Sequence, residues 1–299
     1  MNFPNYLPVH PKTRIGRVHL NVADLERQVD FYQQVIGLQL HWQEQNSVGL
    51  GAGGVDLLRF TQLPNARRYR GVTGIYHFAI LLPERRDLAR SIARLLTLGY
   101  PNHPTDHVMT QTTYLDDPEG NTIELYVDTP EEGIFALEGG ELVARRTDGR
   151  PSNGREPLNL PALFSALSPS DRENLEQPMP PETVIGHVHL YVADLDESLH
   201  FYHKVLGFDN MGLARNFRMG MVSAGGYHHH IGFNTWMGQS SPPPPQDALG
   251  LRYFSVVLPD QAELERLVAS VGEANFSLES PAEGWLTRDP SANGVLLVS

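Results

Sequence analysis

The pattern of apolar and polar residues repeats along the chain. Residues 15–37 read IGRVHLNVADLERQVDFYQQVIG, and residues 185–207 read IGHVHLYVADLDESLHFYHKVLG. Each stretch begins with the alternating apolar residues of a strand and continues with apolar residues at helical spacing. An aspartate suited to cap the helix, Asp24 or Asp194, precedes each helical stretch, and a glycine follows it. The pattern therefore predicts two copies of one strand–helix unit.

A fainter repeat follows each of these units. Residues 76–83 read YHFAILLP, and residues 252–259 read RYFSVVLP. Each is an apolar strand, followed by a charged helix and then by a turn and strand, DDPEGNTIELYV or RDPSANGVLLVS. The order of a strand, a helix and several strands thus occurs four times, which indicates a repeat architecture. The four units span residues 14–63, 72–129, 183–240 and 248–299.

A polar stretch separates the second unit from the third. It contains DGRPSNGREP and SPSDRENLEQPMPP, which are typical of loops. We expect a surface linker over residues 130–182, with a short helix near residues 158–167. The chain is therefore predicted to be an α+β protein of four βαβββ units, two in residues 14–129 and two in residues 183–299.

Composition narrows the classes of function. The formal net charge of −12 argues against nucleic acid and anionic membranes as partners. The sequence has no apolar run of about 18 residues and no apolar core of a signal peptide near its start, so we expect a cytoplasmic protein without a membrane span. The chain has 13 histidines and no cysteine. Any metal would therefore be held by histidine, aspartate or glutamate.

Three side chains are candidates for such a site. His77 and His187 lie in the first strands of the second and third units. Glu124 stands between the apolar Ile123 and Leu125, so it faces the other side of its strand, where a carboxylate is costly unless it is solvated or bound to a metal. Two histidines and one carboxylate form the facial triad of non-haem iron oxygenases. The alternative is an exposed glutamate with two structural histidines.

Comparison of the repeats bears on this choice. In the fourth unit, Tyr253 and Leu296 take the positions of the histidine and the glutamate, and in the first unit Arg17 takes the position of His187. Residues able to bind a metal at these positions are therefore confined to the second and third units. A purely structural role does not obviously explain that division.

Three motifs carry a resemblance to a known family. HVHLYVADLDESLHFYHKVLGF from His187 and DPEGNTIEL from Asp117 resemble patterns common to the vicinal oxygen chelate superfamily. AGGYHHHIGFNTW from Ala224 resembles a paired-histidine strand of its type I extradiol ring-cleaving dioxygenases, the catechol 2,3-dioxygenase-like proteins. The resemblance covers all four units without the linkers. It implies the glyoxalase/bleomycin-resistance/extradiol dioxygenase fold, in which the units form two cup-shaped half-barrels.

The resemblance also implies a ligand set. It makes His77, Glu124 and His187 the ligands of Fe(II), with Mn(II) as the alternative metal. In the better-known extradiol enzymes all three ligands come from the third and fourth units, whereas here they come from the second and third. We therefore predict that the second and third units pair around the metal and that the first and fourth pair with each other. His19 and His189 are kept as alternatives to His187.

Three further residues receive catalytic roles from the resemblance. His229 corresponds to the acid/base that handles the protons of the catechol and of dioxygen, with His228 or His230 as the alternative if the alignment shifts by one residue. Tyr114 corresponds to a tyrosine that hydrogen-bonds the metal-bound substrate oxygen. His107 resembles a histidine that contacts the substrate near that tyrosine.

The implied activity is extradiol cleavage of a catechol-type ring with O₂ in aromatic catabolism. The predicted partners are that small substrate and O₂, and we expect a homo-oligomer. Two alternatives from the same superfamily stay open. One is a glyoxalase-like metal-dependent isomerase or transferase, and the other is a non-catalytic binder of small molecules. The sequence does not distinguish a catechol from a hydroquinone as the substrate.

Overall fold

The computed structural model of the protein describes residues 7–299. In chain order its strands are β1 (Arg14–Val22), β2 (Gln39–Glu44), β3 (Ser47–Ala52), β4 (Val55–Gln62), β5 (Gly74–Leu81), β6 (His103–Asp106), β7 (Thr110–Asp116), β8 (Thr122–Asp128), β9 (Gly133–Glu138), β10 (Glu141–Arg146), β11 (Glu156–Pro157), β12 (Val184–Tyr191), β13 (Asp209–Ala214), β14 (Met219–Ser223), β15 (Ile231–Asn234), β16 (Gly250–Val257), β17 (Trp285–Arg288) and β18 (Gly294–Val298). Its α-helices are α1 (Leu25–Phe31), α2 (Arg85–Thr97), α3 (Leu160–Phe164), α4 (Pro169–Glu173), α5 (Leu195–Leu199) and α6 (Gln261–Glu273). Short 3-10 helices lie at Pro130–Glu132 and Arg215–Phe217.

The helices of the first and third units begin where the repeated aspartates predict. The Asp24 side chain accepts a hydrogen bond from the backbone N–H of Arg27, and Asp194 caps α5 in the same way. Each helix continues as a π-helical turn, Tyr32–Ile36 or His200–Val205. Gly37 then ends the first helix at φ 95°, a left-handed conformation that glycine adopts without strain.

Two mixed sheets carry the four units. The larger sheet has nine strands in the order β11-β6-β7-β8-β5-β12-β15-β14-β13, and it joins the second and third units through the antiparallel pair β5 and β12. The smaller sheet has seven strands in the order β17-β18-β16-β1-β4-β3-β2, and it joins the first and fourth units through β1 and β16. In the fourth unit, Glu279 and Leu286 form an isolated bridge in place of a longer strand. The first and second units therefore belong to different sheets, and so do the third and fourth.

Helices cover the outer faces of the sheets and complete the core. Leu88, Ile92 and Leu95 of α2 are fully buried, as are Leu267 and Val271 of α6. These two helices have 13 residues each, which corresponds to a length of about 20 Å. In the part of the chain that the structure describes, no helix has the length and apolar character needed to cross a bilayer.

The segment between the second and third units is more ordered than its polar sequence indicates. Strands β9 and β10 form a two-stranded hairpin, and β11 pairs with the edge strand β6. Helix α3 lies within the predicted 158–167 region and buries Leu163. Helix α4 begins with a capping box of Ser168 and Asp171, and Arg86 of α2 binds the Asp171 carboxylate at 2.7 Å. The hairpin was not predicted, because Phe135 lines the cavity of the larger sheet and Leu137 packs against the small cluster of Ala214, Met219 and Met221, outside the main core.

Candidate metal centre

The nine-stranded sheet forms the larger of the two cups, and its neighbouring strands β8, β5 and β12 form the floor of this larger cup. His187 on β12 lies opposite Ala79 on β5, and Ala79 lies opposite Glu124 on β8. His77 stands two residues before Ala79, so its side chain emerges on the same face of the sheet. The register shifts next to Gly186, where a Cβ atom would stand 1.8 Å from the Tyr126 hydroxyl. Glycine at this position therefore allows the close strand packing that places His187.

The three candidate ligands converge on one point. The Nε2 atom of His187 is 3.1 Å from Oε2 of Glu124 and 3.3 Å from Nε2 of His77, and His77 Nε2 is 3.3 Å from the same carboxylate oxygen. All three side chains are buried, with only 3–5% of each residue exposed. The structure thus brings together residues of the second and third units from positions up to 110 apart in the sequence.

This donor triangle fits a divalent metal ion. Bonds of about 2.1 Å that meet at roughly 90–109° separate donor atoms by about 3.0–3.4 Å. The other ring nitrogen of each histidine, Nδ1, is buried without a hydrogen-bond partner among residues 7–299. Packing therefore orients the rings, with His187 held between Tyr126 at 5.1 Å and His229 at 4.2 Å, measured between ring centroids. His187 also forms a looser group with His228 and His229, but that group has no carboxylate.

The electrostatics favour the charge states that metal binding needs. Burial alone would raise the pKa of Glu124, but the adjacent His187 and His77 outweigh it and hold that pKa well below its usual value. Burial lowers the pKa of His187, and the attraction of Glu124 opposes that change only in part. A carboxylate and a neutral imidazole are the forms in which these side chains bind metals.

Tyr114 and His107 form a hydrogen-bonded pair beside the triangle. Tyr114 lies opposite Glu124 across β7 and β8, and burial holds the pKa of its hydroxyl well above the usual value. His107 Nδ1 contacts the carbonyl oxygen of Gly154, which can only accept a hydrogen bond, so Nδ1 carries the proton. In the tautomer with the proton on Nδ1, Nε2 accepts a hydrogen bond from the Tyr114 hydroxyl over 3.0 Å. Phe135 stacks on the His107 ring with a centroid distance of 5.8 Å and an interplanar angle of 6°.

The triple-histidine motif lies in the loop between β14 and β15, not in a strand as its resemblance indicated. His228 and His229 line the cavity over the three candidate ligands, and burial lowers the pKa of His228 to about 3 and that of His229 well below its usual value. His230 turns away from the cavity. Its Nδ1 accepts a hydrogen bond from the backbone N–H of Ala224 at 3.2 Å and lies 3.1 Å from the Ser223 hydroxyl. His230 therefore fixes the loop, whereas its two neighbours face the site.

The two alternative ligands lie outside the triangle. His19 belongs to the smaller sheet, where its Nε2 bonds the Thr61 hydroxyl at 2.8 Å and its ring packs edge-on against Tyr253. It makes no approach to the site, because β1 pairs with β16 and not with β5. His189 lines the cavity, with its ring 5.2 Å from that of His77, but it is not one of the three converging donors.

The corresponding hollow of the smaller sheet is filled by charged side chains. Arg17 and Arg59 both donate to the Glu283 carboxylate, and the Tyr253 hydroxyl lies 3.4 Å from it. Arg17 occupies the position that His187 has in the third unit, so an ion-pair cluster replaces the ligands there. Among the described residues, groups of histidine and carboxylate whose donor atoms converge as metal ligands therefore occur only in the larger cup.

The cavity above the triangle has a volume of about 350 Å³, which is at the small end of the range for ligand pockets. Apolar and aromatic side chains form much of its wall: Met109, Phe135, Met219, Met221 and Trp236. Arg155 adds a positive charge. Sequence reasoning missed all six residues. Trp236 lies within the histidine motif quoted above, but its place in the cavity was not predicted. Nothing in the sequence pattern of residues 130–182 indicated that Phe135 and Arg155 of this segment would reach the cavity.

Comparison with known proteins agrees with the fold. The model of the Glyoxalase/Bleomycin resistance protein/Dioxygenase superfamily matches residues 14–125 and 184–288. Two similar crystal structures cover most of the chain. That of a Bacillus subtilis protein has a TM-score of 0.63 and 13% identity, over 97% of this chain and 86% of that one. That of glyoxalase I from Zea mays has a TM-score of 0.54 and 15% identity, over 96% of this chain and 92% of that one. At these identities the structures show the fold alone, and the predicted α+β fold is confirmed.

Sequence relatives are more specific. The chain is 39% identical over 286 residues to a catechol-2,3-dioxygenase of Bacillus subtilis (strain 168), which covers 94% of this chain and 95% of that protein. It is also 32% identical over 110 residues to biphenyl-2,3-diol 1,2-dioxygenase 2 of Rhodococcus globerulus, over 35% of this chain and 55% of that protein. With the family model matching most of its length, this chain belongs to the glyoxalase/bleomycin resistance protein/dioxygenase superfamily.

Proposed function

We propose that this protein is a non-haem extradiol dioxygenase that cleaves the ring of a catechol-type substrate with O₂. The proposal depends above all on the convergence of His77, Glu124 and His187 at 3.1–3.3 Å on the floor of an aromatic-lined cavity. The relationship to a catechol-2,3-dioxygenase supports it. These side chains would hold Fe(II), with Mn(II) as the alternative, because both metals accept nitrogen and oxygen ligands.

A triad of two histidines and one carboxylate leaves coordination positions open. When bound there, the metal would hold the diol oxygens and carry electron density from the aromatic ring to O₂. The protein's own task is to align the ring, remove protons from the diol and keep bulk water out. The residues around the triangle are suited to each of these tasks.

Tyr114 and His107 would orient the substrate. Because the Tyr114 hydroxyl donates its proton to His107, its oxygen lone pairs are available to accept a hydrogen bond from a diol hydroxyl. Phe135 and the Gly154 carbonyl keep the His107 ring in the required tautomer and plane. This arrangement fixes the hydroxyl acceptor before substrate arrives, so little ordering remains at the reaction step.

His229 would transfer the protons. Its ring lies against His187 at 4.2 Å and faces the cavity, next to the position where a diol oxygen would approach the triangle. A neutral imidazole there can accept a diol proton at Nδ1 or Nε2 and return it to the product. His228 lines the same wall, and its Nδ1 is 3.7 Å from the Asp128 carboxylate, which restricts it to a flanking position.

The experiment is an anaerobic reconstitution followed by exposure to air. Protein loaded with Fe(II) or Mn(II) is mixed with a panel of catechols and hydroquinones, and O₂ uptake and the absorbance of a yellow ring-opened product are recorded. We expect one molecule of O₂ consumed per ring cleaved. Stoichiometric metal with no O₂ uptake for any diol would refute the oxygenase and favour an isomerase or transferase. A protein that takes up no metal would indicate a small-molecule binder.

A further inference from the structure

The segment between the second and third units brings one positive charge to the cavity. Arg155 is the sole lysine or arginine among the residues that line the cavity. The Arg155 guanidinium has no ion pair or hydrogen bond with any of residues 7–299. The hydrogen bond that Arg155 does make runs from its backbone N–H to the Asn153 side chain. By contrast, Arg145, Arg146 and Arg150 of the same segment all bind carboxylates.

The turn that carries Arg155 is held rigidly. The Ser152 hydroxyl and the Asn153 backbone N–H both bind the Glu156 carboxylate, and Glu156 pairs with Asp106 in the sheet. Gly154 sits at φ 70° under the Phe135 ring, where a Cβ atom would stand 2.6 Å from a ring carbon. The same glycine supplies the carbonyl that fixes His107. One turn therefore supports the catalytic pair and presents the unpaired cation.

Arg155 lines the same cavity as Tyr76, Tyr114 and Glu124. The cavity's one carboxylate, Glu124, is already engaged by the two histidines. A cation without an ion-pair partner among residues 7–299 thus lines the pocket of a protein whose formal net charge is −12.

We propose that the cavity takes an aromatic diol that carries an anionic substituent, and that Arg155 binds this substituent. The diol part depends on the proposed function, whereas the anion part concerns binding alone. A guanidinium matches a carboxylate in a two-bond geometry that a neutral group does not reproduce. The aromatic wall formed with Phe135 and Trp236 accommodates the ring.

The test compares ligands that differ only in charge. Anaerobic, metal-loaded protein is titrated by calorimetry with 2,3- and 3,4-dihydroxyphenylacetate and with their carboxamides. The acid should bind about tenfold more tightly than the amide, which is the lower end for a charge-assisted hydrogen bond because Arg155 is exposed. High salt should reduce this preference.

Three variants complete the test. Arg155→Gln should abolish the preference for the acid over the amide, and Arg155→Glu should shift the preference towards 3,4-dihydroxyphenethylamine. Arg150 lies in the same segment and pairs with Asp148, so the control variant Arg150→Gln should retain the preference for the acid.

Equal binding of acid and amide by the unaltered protein would overturn the proposal, as would a preference unchanged in Arg155→Gln. The two proposals can fail separately. An Arg155-dependent anion preference without O₂ uptake would remove the dioxygenase and leave the anion site. Cleavage of neutral catechol with no anion preference would do the reverse.

Discussion

Replacement of Glu124 by glutamine tests the metal centre most directly. The substitution keeps the shape of the side chain and removes its charge. In the protein without metal, the attraction of His77 and His187 for the buried carboxylate outweighs the cost of its lost hydration. An amide can still hydrogen-bond both rings but loses the charge-assisted part of these contacts. We therefore expect the free energy of unfolding of the metal-free variant to fall by about 1–3 kcal/mol at pH 7.

The effect that tests the metal centre is the rise in Tm when metal is added. A ligand present at about 100 times its dissociation constant stabilises the folded state by about 2.7 kcal/mol. For a chain of this size, about 2 °C of Tm per kcal/mol gives a rise of about 5 °C. Glu124→Gln should lose most of that rise, because the one anionic ligand is gone. The measurement is a thermal melt with and without Fe(II) or Mn(II), together with metal analysis after gel filtration.

A surface variant controls for the loss of one negative charge. Glu131 is exposed and its side chain pairs only with Arg85, so Glu131→Gln should keep the full metal-dependent rise in Tm. If Glu124→Gln kept both the rise and a stoichiometric metal content, the ligand set derived from the donor triangle would be wrong.

Two further variants probe the surroundings of the triangle, and a third tests the ion pair between α4 and α2. His229→Gln should leave metal content unchanged and lower kcat by about 10²–10⁴-fold, so full turnover would exclude it as the acid/base. Phe135→Leu removes a ring stack worth about 0.5–1.5 kcal/mol on His107 and part of the aromatic wall of the cavity, so kcat should fall up to about tenfold and KM should rise, with metal content unchanged. Arg86 holds the pKa of Asp171 below its usual value, so the carboxylate stabilises the fold above its unfolded pKa and this contribution is lost as pH falls. Asp171→Asn should therefore lower Tm at pH 7 and have a shrinking effect towards pH 2, and a deficit independent of pH would contradict this reasoning.

The repeat made much of the fold predictable. Alternating apolar residues and capping aspartates recur with the units, so Asp24 and Asp194 could be placed at helix starts, where the structure has them. Position-by-position comparison of units also singled out His77, Glu124 and His187, because a shared strand position implies a shared direction of the side chain. The local sequence pattern was sufficient to predict strands and helix starts, because these depend on residues that are near one another in the chain.

Features that depend on contacts between units were harder to predict. His19 and His187 occur in similar strands, and only the pairing of β1 with β16 shows that His19 faces a different hollow. The β9–β10 hairpin adds little to the main core, since Phe135 lines the cavity and Leu137 and Leu142 pack against a separate small cluster. The paired-histidine motif lies in a loop whose shape His230 sets through its bonds to Ser223 and Ala224. None of these contacts leaves a periodic pattern in the sequence.

The smaller cup explains why a duplicated fold carries one candidate site. Both sheets have the same central pairing of antiparallel strands, so either hollow offers positions for three converging ligands. In the smaller cup, Arg17 and Arg59 pair with the single carboxylate of Glu283, and the net positive charge of this cluster disfavours a metal cation. In the larger cup, the Glu124 carboxylate and two histidine nitrogens converge as donors for a cation. The smaller sheet can therefore serve as a scaffold. The free-energy cost of burying three ligand side chains close together arises only in the larger cup, where residues of the 130–182 segment line the cavity.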